Sequence, residues 1–459
     1  MSVLPVLHVP EAGSGGILRN AHSLRRSSCS MKPSATDRRR ANPNRGARVD
    51  IDTSHINRDA LRVISGLHAA GFQAYLVGGG VRDLLLGFSP KDFDIATDAH
   101  PEDVRRQFEN SRIIGRRFRI VHVYFSRGYV EVATFRAAGR AHVNKQGRIL
   151  ADNTYGSIEE DAFRRDFTVN ALYYDPEAGQ LLDLVEGRQD LDAKLLRVIG
   201  DPELRFREDP VRMLRAVRLA AKLGFGIEAQ AKAAIDRLGY LLTEVPPARL
   251  FDEMLKLFHG GYAVQTFQAL CDSGLFKYLL PLTEKALQDP SQKRFSDLVY
   301  GALQNTDERI RAGKPVTPSF LYAVFLWGPM QGLARQLELE GLSPKVAREA
   351  AMKDTILSQL PYTSIPKRLG FPIRDVWELQ YRFYRKRGKQ AFRLYHHPRF
   401  RAAYDFLCLR AGAGEPVDKL CEWWTVFQAA EPVMQKKMAR SSGGKAGKTL
   451  YRPRSKTYH

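Results

Sequence analysis

The sequence predicts an α+β protein: a small mixed α/β head, then an elongated all-helical neck and body, with a disordered basic tail at each end. Three observations carry that expectation. Between about residues 56 and 185, short β-rich runs (AYLVG, FDIAT, IVHVYF, YVEVATF, ALYYD) alternate with helical stretches. From about residue 203 the strand signals vanish and helical periods dominate to about 430, broken by Pro246 and Pro247, Gly260 and Gly261, and the loop at Lys314 and Pro315. Both ends are rich in small and basic residues and show no apolar period. The expected units are a disordered extension over 1–50, a head over 55–200, a neck over 201–270, a body over 271–430 and a tail over 431–459. No repeat of fixed period supports a solenoid.

At 459 residues with 44 % hydrophobic content, the chain is long enough for two or three folded units with real cores. Lys and Arg outnumber Asp and Glu by 71 to 50, a formal net charge of +21. Such an excess points to a polyanionic partner, nucleic acid before a membrane surface. No apolar run approaches the roughly 20 residues of a bilayer crossing, and the N-terminus lacks the basic-then-apolar layout of a secretory signal. The expected protein is soluble and unexported, although Met31 offers an alternative start and the Arg-rich leader mimics an organelle transit peptide. Cys29, Cys271, Cys408 and Cys421 are scattered, with no Cys-x-x-Cys pair, and read as buried or idle thiols in a reducing compartment. His396 and His397 lack spaced partner ligands and read as loop or helix-end residues rather than a zinc site.

Within the head, the stretch YLVGGGVRDLLLGFSPKDFDIATD, residues 75–98, holds the first chemical signal. Tyr75 to Val77 read as a buried strand running into Gly78, Gly79 and Gly80, where missing Cβ atoms let the backbone approach a ligand. The helix VRDLLLG follows and stops at Gly87. Strand, glycine turn and helix start form an anion site, to which Arg82 adds a charged fork. Most glycine turns are only turns, but this one precedes Asp92 and Asp94 in the strand-like DFDIAT. Their carboxylates share a face while Phe93 and Ile95 point to the core. Carboxylates this close repel unless a cation lies between them, and magnesium suits that place because it keeps substrate phosphates in its shell. A phosphate cradle ahead of a metal-binding pair is what nucleotidyl transfer requires. Glu131 in VEVATFR and Asp166 in RRDFTVN compete for the role of third catalytic carboxylate, with a surface ion pair as the bland alternative for each.

In RRDFTVNAL, Arg165 could meet phosphate and Asn170 a ribose hydroxyl, while Asp166 could equally cap the short helix that follows. REDPVRMLRAVRLAAKLGF is the best-formed helix, with Asp209 as N-cap, Pro210 at the first helical position and Gly224 at the end. Arg212, Arg215, Arg218 and Lys222 lie along one stripe of it, usually a solvated face and here a candidate RNA contact. Asp209 and Arg212, three apart, offer an acceptor and a fork of donors that can read a base edge. Near the C-terminus, Arg382, Arg385, Lys386 and Arg387 lie among Trp377, Tyr381, Phe383, Tyr384 and Tyr395, the mixture single-stranded RNA asks for. Most of those aromatics recur at helical spacing and read as core.

Four motifs in order, GGxVRD (Gly78 to Asp83), DxD (Asp92 and Asp94), RRDFxxN (Arg164 to Asn170) and EDxxR (Glu208 to Arg212), resemble one branch of the polymerase-β superfamily. That branch holds the bacterial poly(A) polymerases and the class II, CCA-adding, tRNA nucleotidyltransferases. The resemblance implies a nucleotidyltransferase head in which Asp92 and Asp94 hold two Mg²⁺ ions and Asp166 is a further active-site aspartate. It also implies nucleotide binding by Gly78, Gly79, Arg82, Asp83, Arg165 and Asn170, and base reading by Asp209 and Arg212. The likeness to poly(A) polymerases runs from about 55 to 430 and includes GRRFRIVHV, YGSIEEDAFRRDF, PPARLFDEMLKLF, IPKRL and HPRFRAAYDFLCLRA; the CCA-adding relatives share mainly the first half. The implied function is template-independent addition of AMP from ATP to RNA 3′ ends, with release of pyrophosphate. The implied partners are ATP, the 3′ ends of messages, small RNAs and decay intermediates, and RNA-decay proteins, for a monomer in the cytoplasm. A CCA-adding enzyme is the alternative. A non-catalytic RNA-binding protein with a vestigial nucleotide site is the alternative of another class, and the intact Asp92 and Asp94 argue against it.

Overall fold

Alternation of apolar and polar residues in the first two-fifths of the chain produces an eight-stranded sheet in the computed structural model. The structure describes residues 46–49, 51–115, 119–137, 142–143, 149–151 and 154–441. The strands are β1 (Ala47–Arg48), β2 (Ala74–Val77), β3 (Asp94–Thr97), β4 (Ser111–Ile114), β5 (Ile120–Phe125), β6 (Gly128–Thr134), then a small hairpin β7 (His142–Val143) and β8 (Ile149–Ala151), then β9 (Leu172–Asp175) and β10 (Gln180–Asp183). The sheet order is β1-β10-β9-β2-β3-β6-β5-β4. Every pairing in it is antiparallel except that of β3 with β6. The five β-rich runs read from the sequence are therefore strands β2, β3, β5, β6 and β9.

One face of the sheet is covered by α1 (Arg58–Ala69), whose Ala60, Val63, Ile64 and Leu67 repeat at helical spacing and are wholly buried. Asn57 starts that helix by accepting a hydrogen bond from the Asp59 backbone N–H. The turn from β2 into α2 (Gly79–Leu85) passes through Gly78 at φ 79°, ψ −140°, a backbone conformation closed to residues with a Cβ. Helix α3 (Pro101–Gln107) follows β3, and α4 (Ile158–Arg164) opens on a capping box in which Ser157 and Glu160 satisfy each other's backbone N–H.

The head leads through α5 (Gly187–Asp192) into α6 (Pro202–Glu208) and α7 (Val211–Leu223). Gly224, in the left-handed region at φ 66°, ends α7 as expected, but the helix begins at Val211, after Asp209 and Pro210 rather than at Pro210. The strand signal does not vanish entirely after residue 203: β11 (Leu195–Leu196) and β12 (Gly226–Ile227) pair in parallel across α6 and α7. From α8 (Ala229–Leu238), α9 (Pro247–Phe258) and α10 (Ala263–Asp272) onward, the chain is helical to Ser441. One continuous apolar core runs from Ile51 in the head to Phe406 and Ala413 in the body, and a second, around Trp424, Phe383 and Phe427, serves the C-terminal helices.

Two expectations are corrected here. Residues 432–441, placed in the disordered tail, form a helix whose Ala439 is buried and whose Met438 packs against the second core. Gln435 Nε2 donates to the Phe427 carbonyl and ties it down. Cys408 and Cys421, expected as idle thiols, form a disulfide: the turn between helices Phe400–Gly412 and Asp418–Ala429 brings their Cα atoms to 5.5 Å. Cys271 is a free thiol whose pKa burial pushes up to about 12. The expected disordered extension over 1–50, Cys29 and the basic residues beyond 441 lie almost wholly outside the described residues. No helix among the described residues is long and apolar enough to cross a membrane.

Candidate active site

The register of the sheet builds the site. Val77, the last residue before the glycine turn, opposes Asp94; Asp94 opposes Glu131 on β6; Glu131 opposes His122 on β5. Residues opposed in this way point to the same face. Asp92 and Asp94 are exposed while Phe93 and Ile95 are buried, which is the expected alternation, although the strand proper starts only at Asp94. A Cβ on Gly78 would lie 3.9 Å from both Asp94 Oδ2 and Arg165 Nη1, so glycine turn, carboxylate and guanidinium converge.

The electrostatics separate the two candidates for a third carboxylate. Although Asp94 keeps part of its surface open, the protein packed around its carboxylate displaces water and raises its pKa; Arg165 opposes that rise and Asp92 adds to it. Burial likewise raises Glu131, reinforced by Asp94 and Asp92 and opposed by Arg136. Asp92, Asp94 and Glu131 thus form one mutually repelling acidic group. Asp166 is held differently. Burial alone would raise its pKa, but Arg215, through Nε at 2.8 Å and Nη2 at 2.5 Å, and Asn170 Nδ2 at 3.3 Å hold it below the usual range. Its charge is already compensated inside the protein.

Those bonds belong to a chain that crosses from head to neck. Arg82, 4 % exposed, gives Nε and Nη2 to Asp83 Oδ1 and Nη1 to Asn170 Oδ1 at 2.6 Å. Asn170 passes the contact to Asp166, Asp166 to Arg215 on α7, and Lys222 on α7 returns to Asp83 Oδ2 at 3.0 Å. Arg82, Asp83 and Asn170, read from the sequence as nucleotide contacts, are thus held in place by one another and by Lys222 and Asp166, and Arg82 and Asn170 also line a cavity beside Gly79. Arg215, Arg218 and Lys222, the stripe expected to contact RNA, line a cavity of about 270 Å³ between head and neck with Gly79, Arg82, Asn170, Lys256 and Tyr262. Two cations face the glycine turn: the Arg82 guanidinium, whose Nη2 would lie 3.4 Å from a Cβ on Gly79, and Arg165, whose Nη1 would lie 3.9 Å from one on Gly78. Burial would lower the Arg165 pKa, but Tyr173 and Asp161, bonded at 2.9 Å and 2.8–3.0 Å, raise it and fix its direction.

Asp209 and Arg212 line a second, more open cavity of about 450 Å³ together with Arg165, Arg249 and Lys256. They do not pair with each other. Asp209 Oδ2 accepts from Arg249 Nη2 at 2.7 Å, and Arg212 Nη1 donates to Glu208 Oε2 and to the Arg205 carbonyl. Arg249, in the first turn of α9, is a site residue missed by the sequence reading; its signal lay in the PPARLF segment, forty residues from its partner. In the body, Arg385 and Arg387 are exposed between helices Lys367–Arg382 and Gly388–Tyr395, with Tyr384 beside them at 60 % exposure. Lys386 lies over the Trp423 ring and Arg382 near Glu378, while Trp377 and Phe383 are core.

Among the described residues no three His, Cys, Asp or Glu side chains are gathered tightly enough to enclose an ion by themselves. Asp92, Asp94 and Glu131 offer only hard oxygen donors on an open surface beside a phosphate-sized turn. That donor set fits magnesium, which completes its octahedron with phosphate oxygens and water.

The Poly A polymerase head domain model matches residues 74–197, a model for a probable RNA and SrmB-binding site of polymerase A matches 224–287, and an arginine-rich C-terminus of polymerase A matches 340–458. The chain is 45 % identical to Poly(A) polymerase I of Escherichia coli O157:H7 over 399 residues, covering 84 % of this chain and 86 % of that one. A CCA-adding enzyme of Bacillus pumilus is 38 % identical over 233 residues, 51 % of this chain and 58 % of its own. Among solved structures, the Bacillus stearothermophilus CCA-adding enzyme in complex with CTP superposes with a TM-score of 0.55 at 28 % identity, covering 80 % of each chain. The likeness to the CCA-adding relative stops at half the chain, while that to the polymerase spans head, neck and body, and the chain belongs to the poly(A) polymerase family of polymerase-β-type nucleotidyltransferases.

Proposed function

We infer that the protein extends RNA 3′ ends by successive transfer of AMP from ATP, releasing pyrophosphate and using no template. The observation that carries this reading is the row Val77, Asp94, Glu131, in which the glycine turn that follows Val77 stands beside carboxylates that repel one another and whose nearby cations do not cancel the rise in their pKa. Asp92, Asp94 and Glu131 would hold two Mg²⁺ ions, which when bound supply an activated RNA hydroxyl and a neutralised leaving group. Gly78 and Gly79 leave room for the triphosphate, and Arg165 aims a fixed guanidinium at it. Asp166 orients Asn170 and Arg215 and so holds the head against the neck, rather than acting as the third catalytic carboxylate. The adenine lies against the open neck cavity, where Asp209, Arg212 and Arg249 present an acceptor and two forks of donors. RNA upstream of the 3′ end is gripped by charge on the body, at Arg382, Arg385, Lys386 and Arg387, and by the basic tail. The protein is read as a monomer acting in the cytoplasm.

The test supplies labelled ATP or CTP with two acceptors, a generic RNA and a tRNA lacking its terminal CCA. Long A tracts on the generic RNA support the reading. Addition confined to C, C and A on the tRNA overturns it in favour of the CCA-adding alternative.

A further inference from the structure

The row of opposed residues that contains Asp94 and Glu131 continues past the carboxylates. Glu131 opposes His122, and His122 opposes Arg112 on β4. On the same face, two residues along, Tyr129 opposes Tyr124. The three rings form one surface: His122 stacks on Tyr129 with centroids 4.0 Å apart and planes 9° from parallel, and Tyr124 stands edge-on to Tyr129 at 6.0 Å. The opposite face of these strands, at Val121, Val123, Val130 and Val132, is buried in the core. Yet Tyr129 is 56 % exposed and Arg112 and Arg127 stand exposed around it. A stack whose outer ring, Tyr129, lies open to solvent over a largely covered His122, within two strand spacings of an acidic centre and about 10 Å away, presents a ring face on which a further ring can stack.

Its position across the sheet says what it fits. The glycine turn and Arg165 lie on the β2 side of Asp94, so the triphosphate and the departing pyrophosphate belong there. In-line displacement requires the attacking hydroxyl to arrive from the side opposite the leaving group. That side is β6, β5 and β4, where the aromatic stack lies. We propose that His122, Tyr124 and Tyr129 form a stacking ledge for the last bases of the single-stranded RNA acceptor, with Arg112 and Arg127 along its phosphates, and that this ledge delivers the 3′ hydroxyl to Asp94 and Glu131. The ledge is indifferent to base identity, since every base has a π-face. It therefore serves an enzyme that must accept many different ends. The inference rests on the polymerase reading for its direction, but the binding itself is measurable without turnover.

The experiment compares Tyr129→Ala and Tyr129→Phe with the parent full-length chain, using a fluorescein-labelled oligoadenylate and the same oligomer with its two 3′-terminal bases removed. Affinity is read by anisotropy without ATP, and KM for RNA and for ATP by extension. Y129A should weaken the intact RNA roughly five- to hundredfold in affinity and in KM, the range of one stacked base, with KM for ATP unmoved. Y129F should bind like the parent. The base-less oligomer should bind the parent weakly and lose nothing further in Y129A. An intact-RNA affinity unchanged in Y129A, an equal loss with the base-less oligomer, or a loss confined to KM for ATP overturns the ledge. A parent chain that binds RNA through Tyr129 but adds no AMP would overturn the polymerase reading and leave the ledge standing.

Discussion

Glu131→Gln and Asp166→Asn, two isosteric neutralisations at the two candidates for a third carboxylate, should move stability in opposite directions. Asp94 and Glu131 oppose each other on adjacent strands, about 5 Å apart, where like charges repel by about 3 kcal/mol at an effective dielectric of about 20. Glu131 keeps 39 % of its side chain exposed, so screening brings the penalty to about 1 kcal/mol. E131Q removes it and should stabilise the metal-free protein by that amount at neutral pH. Asp166 is 12 % exposed and bonded to Arg215, which is 41 % exposed. Breaking a fully buried pair costs about 3–5 kcal/mol, and the partial exposure of Arg215 lowers this to about 2 kcal/mol of destabilisation in D166N. The signs follow from linkage. Glu131 has a raised folded-state pKa, so its stabilising protonated form is lost as pH rises through that value; Asp166 has a depressed one, so its stabilising charge is lost as pH falls through it. Both differences should therefore shrink in acid. Urea unfolding of parent, E131Q and D166N in EDTA, at neutral and acid pH, measures them. Magnesium should then stabilise the parent more than E131Q. A destabilised E131Q, or a D166N as stable as the parent, would refute the division of the acidic residues into a cation site and a structural link.

Asp94→Asn should lower kcat at least about a hundredfold while RNA affinity by anisotropy stays within about twofold, since the tails and body grip phosphate without it. Arg249→Met frees Asp209 and should raise KM for ATP roughly tenfold and erode the preference for ATP over CTP, read from paired kcat/KM values. Activity should fall in acid at a pH above the ordinary carboxylate range, because Asp94 and Glu131 must both be charged to hold a cation and both titrate high; added magnesium should move that limb downward. Gly78→Ala, forced to φ 79°, should cost about 1–2 kcal/mol in urea unfolding and raise KM for ATP.

What was legible in the sequence was whatever a short window contains. The strands of the head announced themselves by alternation, the turn at Gly78 by its glycines, and the pair Asp92 and Asp94 by spacing. Contacts between distant segments were not visible. The parallel pairing of β3 with β6, which sets Glu131 beside Asp94, depends on a crossover no local pattern specifies, and only this register separates Glu131 from Asp166. The bond from Arg82 to Asn170, 88 residues away, was not visible beside the glycine turn that Arg82 adjoins. Arg215 looked like part of a solvated stripe because α7 gives no sign of the head packed against it. The helix over 432–441 was hidden for the opposite reason: its lysines outweigh the few apolar residues that dock it.

Without a template strand there is no second chance to reject a wrong base, so accuracy depends on how little the pocket walls can give. Within the link from Arg82 to Arg215, the buried Arg82 and the mostly covered Asp166 hold the walls of that pocket largely out of reach of counterions, whereas the exposed cations proposed to hold RNA meet them freely. Rising ionic strength should therefore loosen grip long before it loosens choice: the polymerase would let go of its transcript while still telling purine from pyrimidine.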